Sequence, residues 1–124
     1  MLNPVETIKI LQNDHSKIRH YKAGEIIFQQ GEKGDVMYGI IEGEVEMLVN
    51  GKVVETIKQG DVFGQGALLH RDHLRTSTAR AKTDCQIAIL DEKHFLFAVQ
   101  ETPMFALEVM RSYSDRLRRL KLSI

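Results

Sequence analysis

Through the first two-thirds of the chain, apolar residues come in short runs broken by glycine; the last third changes to helical spacing. Val5, Ile8 and Leu11 recur at helical intervals and predict a short amphipathic helix over Val5–Leu11. Lys17–Tyr21 alternates weakly, with Ile18 and His20 at period two, and Lys22-Ala23-Gly24-Glu25 turns into a strand at Ile26–Phe28. Gly31 and Gly34 bracket the next turn. Two strands follow, Val36–Glu42 and Val45–Val49, separated by Gly43; in the second, Val45, Met47 and Val49 face one way and Glu44, Glu46 and Leu48 the other. Gly39 inside the first predicts a bulge or a close approach of another group. Asn50-Gly51 is the strongest hairpin signal in the chain, since both residues tolerate the positive φ of a type I′ turn. Lys52–Ile57 returns, Gln59-Gly60-Asp61 turns again, and Thr78–Ala81 and Cys85–Asp91 read as the last strands. Glu92–Gln100 then carries Phe95, Leu96 and Val99 on one helical face, and Pro103 opens a helix over Met104–Leu122 where its missing N–H costs little.

Short strands at regular spacing predict a mainly β, antiparallel sandwich with an N-terminal helix and C-terminal helices. The 124 residues, 43% of them hydrophobic, suffice for one core, so the expectation is a single domain over 1–124, with strands over about 17–91 and helices over about 92–122. A formal net charge of zero provides neither a general basic field for nucleic acid nor an acidic tail. Met1-Leu2-Asn3-Pro4 lacks a basic segment followed by a long apolar run, and no stretch has the length to cross a bilayer, so a cytoplasmic protein without membrane contact is expected. Cys85, the single cysteine, sits in a strand pattern and reads as a buried structural thiol.

The stretch Phe63–Ala81, FGQGALLHRDHLRTSTARA, holds the densest chemistry. A strand end at Val62-Phe63 runs through Gly64-Gln65-Gly66 into a helical turn at Ala67-Leu68-Leu69, which presents amides without carbonyl partners. Arg75 follows with a planar guanidinium suited to a phosphate, flanked by the hydroxyls of Thr76 and Ser77. The arrangement describes a cradle for one phosphate and the sugar beside it. Arg75, Thr76, Ser77 and the amides of Gly66 and Ala67 suit the phosphate, and Gln65 with Gly64 suits a ribose hydroxyl.

From about Ile18 to the C-terminus the sequence resembles the cyclic nucleotide-binding domain family. The phosphate-binding cassette of that family is matched by Phe63, Gly64, Gln65, Gly66, Ala67, Leu68, a loop from Leu69 to Leu74, then Arg75, Thr76, Ser77, Thr78 and Ala79. Arg80 to Cys85 is similar to the strand-turn-strand that follows the cassette in bacterial catabolite activator proteins and kinase regulatory subunits. Gly31 to Gly43 is similar to a second family signature, with Gly39 as a departure that would give the base room. Gln65 stands where most members carry a glutamate, so a charge-assisted bond to the ribose 2′-hydroxyl becomes a neutral one, a loss of about 1 kcal/mol; cyclic-AMP-activated exchange proteins resemble this chain there. Ser77 replaces the usual alanine. The resemblance implies an antiparallel β jelly-roll barrel (a double-stranded β-helix), cAMP ahead of cGMP as ligand, no cofactor, and a C-terminal helix closing over the base with Leu117, Leu120 or Lys121. Thr76 leaves the base open, because its hydroxyl reaches the 2-amino group of a guanine lying syn.

Met110, Tyr113, Leu117, Leu120 and Ile124 follow a three-four repeat, which serves either a homodimeric coiled coil or packing on the chain's own sandwich. His70 and His73 lie in a charged loop without further converging ligands, so a solvated loop is expected and no metal. Arg111, Arg116, Arg118, Arg119 and Lys121 read as a solvated face or a contact with a neighbouring output domain; direct nucleic-acid contact is not expected, because the sequence ends at Ile124 without a helix-turn-helix. No nucleophile elbow, Cys-His pair or Walker-type lysine is present, so a non-catalytic binding module is expected. Two alternatives stand beside the cyclic nucleotide sensor: a dimerisation module that has lost its ligand, and a sensor of another small anion.

Overall fold

Strands with apolar residues on one face must pair and then stack to remove those faces from water, and this chain does both. The computed structural model describes residues 4–11 and 17–124, with the side chains of residues 9 to 11 outside that description. In order, the elements are α1 (Pro4–Leu11), β1 (Ile18–Tyr21), β2 (Ile26–Phe28), β3 (Val36–Glu42), β4 (Glu44–Val49), β5 (Lys52–Lys58), β6 (Val62–Phe63), α2 (Gly66–Leu69), β7 (Thr78–Ala81), β8 (Cys85–Asp91), α3 (Glu92–Glu101) and α4 (Met104–Leu122). Two four-stranded sheets, in the orders β1-β8-β3-β6 and β2-β7-β4-β5, pair antiparallel throughout. The predicted mainly β sandwich with flanking helices is what forms.

The two sheets differ in burial, and the difference is written in their strands. The β1-β8-β3-β6 sheet is covered on both faces. Tyr38, Ile40, Ile87 and Ile89 point into the space between the sheets, whereas Met37, Val62, Ala88 and Leu90 pack against Val5, Ile8, Ala98, Phe105 and Val109 of the helices. Hence Met37 to Ile40 and Ile87 to Leu90 are buried without alternation, as a doubly covered strand requires. The other sheet covers only one face, so β5 leaves Val53 and Val54 exposed while Ile57 is fully buried.

Local expectations fare differently from one another. Leu48 is buried although it alternates with Met47 and so shares the face of Glu44 and Glu46; the irregularity beside it lies in β5, where Val54 is passed over between Val53 and Glu55. Of the alternatives at Gly39, the close approach is what forms, not a bulge or room for a base. A Cβ there would meet Val5 Cγ2 at 3.0 Å, so the glycine lets α1 lie close on the outer face of β3, away from the space between the sheets; the bulge comes later, between Ile40 and Glu42. The side chain of Leu11, third in the predicted α1 stripe, lies outside the described residues, while Val5 and Ile8 are buried as expected. The hairpin prediction is met in detail, with Asn50 at φ 53° and Gly51 at φ 79°.

Helix α4 is fastened to the sandwich by buried polar contacts as well as by Phe105 and Val109. Thr7 Oγ1 of α1 donates to Glu108 at 2.6 Å, and the Val62 amide donates to Ser112 Oγ at 3.4 Å. Arg116 donates to both carboxylate oxygens of Glu55, at 2.8 and 2.9 Å, and to the Val62 carbonyl at 2.7 Å. These bonds hold α4 across the open end of the sandwich beside β5, where it becomes one wall of a cavity.

Candidate functional site

That cavity, about 350 Å³, lies at the end of the sandwich between β4, β5, α2, the loop after α2 and α4. Gly64, Gly66, Ala67, Arg75, Thr76 and Ser77 all line it, so the five residues predicted to hold the phosphate are brought together beside Gly64. The intrahelical bonds of α2 begin at Leu68, whose amide donates to Gln65 O at 2.9 Å, which leaves the amides of Gly66 and Ala67 ahead of the first helical bond.

Arg75 dominates the site. Although a cation, it is only 5% exposed. Its Nη1 donates to Gly64 O at 2.6 Å and its Nη2 to Val36 O at 2.8 Å, while the guanidinium lies 4.3 Å from the Phe28 ring centre and 5.6 Å from that of Tyr38. Tyr38 in turn stacks on Phe63 at 5.0 Å. Two glycines make this seat. A Cβ on Gly34 would overlap Nε and Cζ of Arg75, and one on Gly64, where φ is +81°, would sit 2.9 Å from its Nη1. Burial pulls the Arg75 pKa below its usual value, opposed by the fields of Tyr38, Asp35 and Glu32. No carboxylate among the described residues forms an ion pair with it. A buried guanidinium with carbonyl partners but no counter-ion is an electrostatic arrangement that an entering anion would complete.

Gln65 lies elsewhere. It is 2% exposed, does not line the cavity, and neither its Oε1 nor its Nε2 has a hydrogen-bond partner among the described residues. The reason is local: Gln65 is the residue before α2, in right-handed helical backbone geometry (φ −68°, ψ −18°), while the flanking Gly64 and Gly66 are the residues at the cavity wall.

On α4 the residues facing the cavity are Tyr113 and Arg116 rather than Leu117, Leu120 or Lys121. Leu117 and Lys121 are exposed and Leu120 lines a separate shallow pocket with Val53, Val54 and Arg119. Helix rotation explains this: the buried face of α4 runs through Phe105, Glu108, Val109, Ser112 and Arg116, and Leu117 is one residue past that line. Burial raises the Tyr113 pKa, with Arg116 acting in the opposite direction, and the Arg116 guanidinium sits 4.5 Å from the Tyr113 ring centre.

Sequence reading had no signal for the remaining walls. Phe28, Met47, Val49, Val54 and Glu55 come from strands far from the cassette, and only folding brings them to it. His70, expected to be solvated, is exposed but also lines the cavity; His73, at φ 55°, sets its Nδ1 2.7 Å from Ala67 O and so steadies the loop after α2. Among the described residues no cluster of His, Cys, Asp or Glu could hold a metal. Among the described residues no helix is long and apolar enough to cross a membrane.

Comparison with known proteins gives the same answer from outside the structure. A cAMP-dependent protein kinase regulatory subunit of Schizosaccharomyces pombe is 43% identical over 60% of this chain and 18% of its own length. The cAMP-activated global transcriptional regulator CRP of Salmonella typhimurium is 32% identical over 88% of this chain and 53% of its own length. The chain thus spans about half, or less, of these relatives. A solved structure of cAMP-bound PfPKA-R (141–441) superposes with a TM-score of 0.67 at 28% identity, covering 95% of this chain and 45% of that one. The family model for the cyclic nucleotide-binding domain matches residues 18–102, the whole of both sheets together with the cavity loop, and this chain belongs to that family.

Proposed function

We propose that the chain is a non-catalytic regulatory module that binds a cyclic nucleotide, cAMP ahead of cGMP, with the ring phosphate on Arg75. The observation that carries this is the guanidinium itself, 5% exposed, without a carboxylate ion-pair partner among the described residues, and lining a cavity of about 350 Å³. Its two bonds to Gly64 O and Val36 O use two of five N–H donors, which leaves others for phosphate oxygens. Thr76 and Ser77 add hydroxyls, and the amides of Gly66 and Ala67 lie at the same wall. Titration calorimetry with cAMP tests this directly. Arg75→Ala is expected to weaken binding by about 1.5 to 3 kcal/mol, the value of a charged hydrogen-bond partner, and unchanged affinity would refute the assignment.

Binding would act on α4 through differential affinity. Tyr113 and Arg116 belong both to the cavity wall and to the helix, so a ligand filling the cavity favours the docked helix over an undocked one. The exposed side of the helix, Met110 at 65% and Leu117 at 53%, suits a homodimer, and its basic residues suit an output domain. Leu117, Leu120 and Lys121 would then approach the base only if the helix end moves on binding. Neither a nucleic acid nor a membrane is needed for this account, and a cytoplasmic setting is consistent with it.

A second reading is favoured by one observation: Gln65, the expected ribose contact, is buried with its amide unpartnered. On that reading the domain keeps its scaffold and has lost its ligand, or takes another small anion. Thermal melting separates the readings, since a true ligand at one hundred times its dissociation constant adds about 2.7 kcal/mol.

A further inference from the structure

Two arginines line the cavity, and they are not equivalent. Arg75 forms no ion pair with a carboxylate among the described residues, whereas Arg116 is paired through both Nε and Nη2 with Glu55. An anion therefore goes to Arg75, and the rest of the ligand lies against the other lining, which includes Met47, Val49, Val54, Tyr113 and the Glu55–Arg116 pair. We infer that Glu55, held by Arg116, reads the nucleobase edge, accepting a hydrogen bond from its exocyclic amine or a ring N–H.

This rests on the cyclic nucleotide reading above, and four features of the site support it. The apolar side chains of Met47, Val49 and Val54 offer a flat ring its non-polar contact, and Glu55 is the acidic member of the same wall. Tyr113 lines the same cavity, with its ring 4.5 Å from the Arg116 guanidinium that holds Glu55, and so adds an aromatic surface beside the carboxylate. Glu55 keeps acceptor capacity, because a carboxylate has about four lone-pair sites, and Arg116 occupies one on each oxygen. It is also fixed in place. Its side chain is 12% exposed and that of Arg116 8%, and Arg116 is anchored a third time on the Val62 carbonyl and stacked on Tyr113. A rigid, desolvated, charged acceptor penalises a ligand without the matching donor far more than a solvated one does. Gln65, off the cavity wall, does not compete for this role.

The test pairs two ligands with two proteins. Purine riboside 3′,5′-cyclic monophosphate has the phosphate and sugar of cAMP but neither an amine nor a ring N–H. The wild-type chain is expected to bind cAMP about tenfold or more tightly than this analogue, as the loss of a charged hydrogen bond predicts. Glu55→Gln preserves an oxygen for Arg116 and is expected to close the gap to about twofold, mainly by weakening cAMP; melting of the unliganded variant verifies that it folds. If the wild type binds both ligands equally, or if Glu55→Gln weakens both by the same factor, Glu55 only positions α4 and the inference is overturned. If the wild type binds neither, the cyclic nucleotide reading itself falls, a result distinct from an unchanged preference.

Discussion

A single guanidinium sets the character of the site, and small residues set the guanidinium. Arg75 could be picked out from the cassette spacing alone, but the need for Gly34 could not, because it lies forty-one residues earlier and its role is visible only as the space a Cβ would take from Arg75. Gly34→Ala is therefore expected to displace Arg75 and weaken cAMP binding about tenfold or more, comparable with losing a charged partner, in a titration that compares the variant with wild type. Gln65 is a different case. Its residue type suggested a ribose contact, yet backbone geometry before α2 buries it, and nothing in residue type reveals which way a loop side chain turns. Cys85 behaves as its strand context predicts. It is 4% exposed, and burial raises its thiol pKa against the pull of its bonds to Thr83 and Glu44, so it is expected to resist alkylation at neutral pH until the chain unfolds. Rapid labelling of the folded protein would contradict that.

At the scale of elements, boundaries were legible wherever turn chemistry or a period change marked them. Asn50-Gly51 fixed the β4–β5 hairpin and Pro103 fixed the start of α4. What α4 does with its faces was less legible, since Met110, Tyr113, Leu117 and Leu120 make as regular a stripe as the buried one. The structure buries Phe105, Val109 and Arg116 instead, because the polar partners Glu55 and Val62 O select the helix rotation. Arg116→Ala, which strands Glu55, is expected to destabilise the fold by about 3 to 5 kcal/mol, as for a broken buried ion pair, in denaturant unfolding. Helix α3 offers a smaller and pH-dependent case. Asp91 caps it by accepting from the His94 amide at 2.8 Å, and that bond lowers the Asp91 pKa. A lowered carboxylate pKa contributes stability above the unfolded value and loses it as the pH falls through the folded one. Asp91→Ala should accordingly cost about 1 kcal/mol at neutral pH, and its gap to wild type should shrink on acidification below the ordinary aspartate range.

The whole molecule is a sandwich whose one end is closed by a helix, and this combination joins the cavity to an exposed apolar helix face. The fold was largely visible beforehand, because alternation, glycine-marked turns and a change of period act over neighbouring residues. The cavity walls were not, since Phe28, Val54, Glu55 and Tyr113 meet only through the pairing of β2 with β7 and of β4 with β5 and the docking of α4. If the exposed face of α4 joins two copies, Met110→Glu with Leu117→Glu should shift sedimentation from dimer to monomer without changing the melting of the monomer. One measurement bears most directly on the account: thermal unfolding of the wild type and of Arg75→Ala with and without cAMP. At one hundred times its wild-type dissociation constant, cAMP should stabilise the wild type by about 2.7 kcal/mol and the variant by about 1.4 kcal/mol or less. Equal stabilisation of the two, or none of the wild type, would contradict the claim that this buried cation is held for a phosphate.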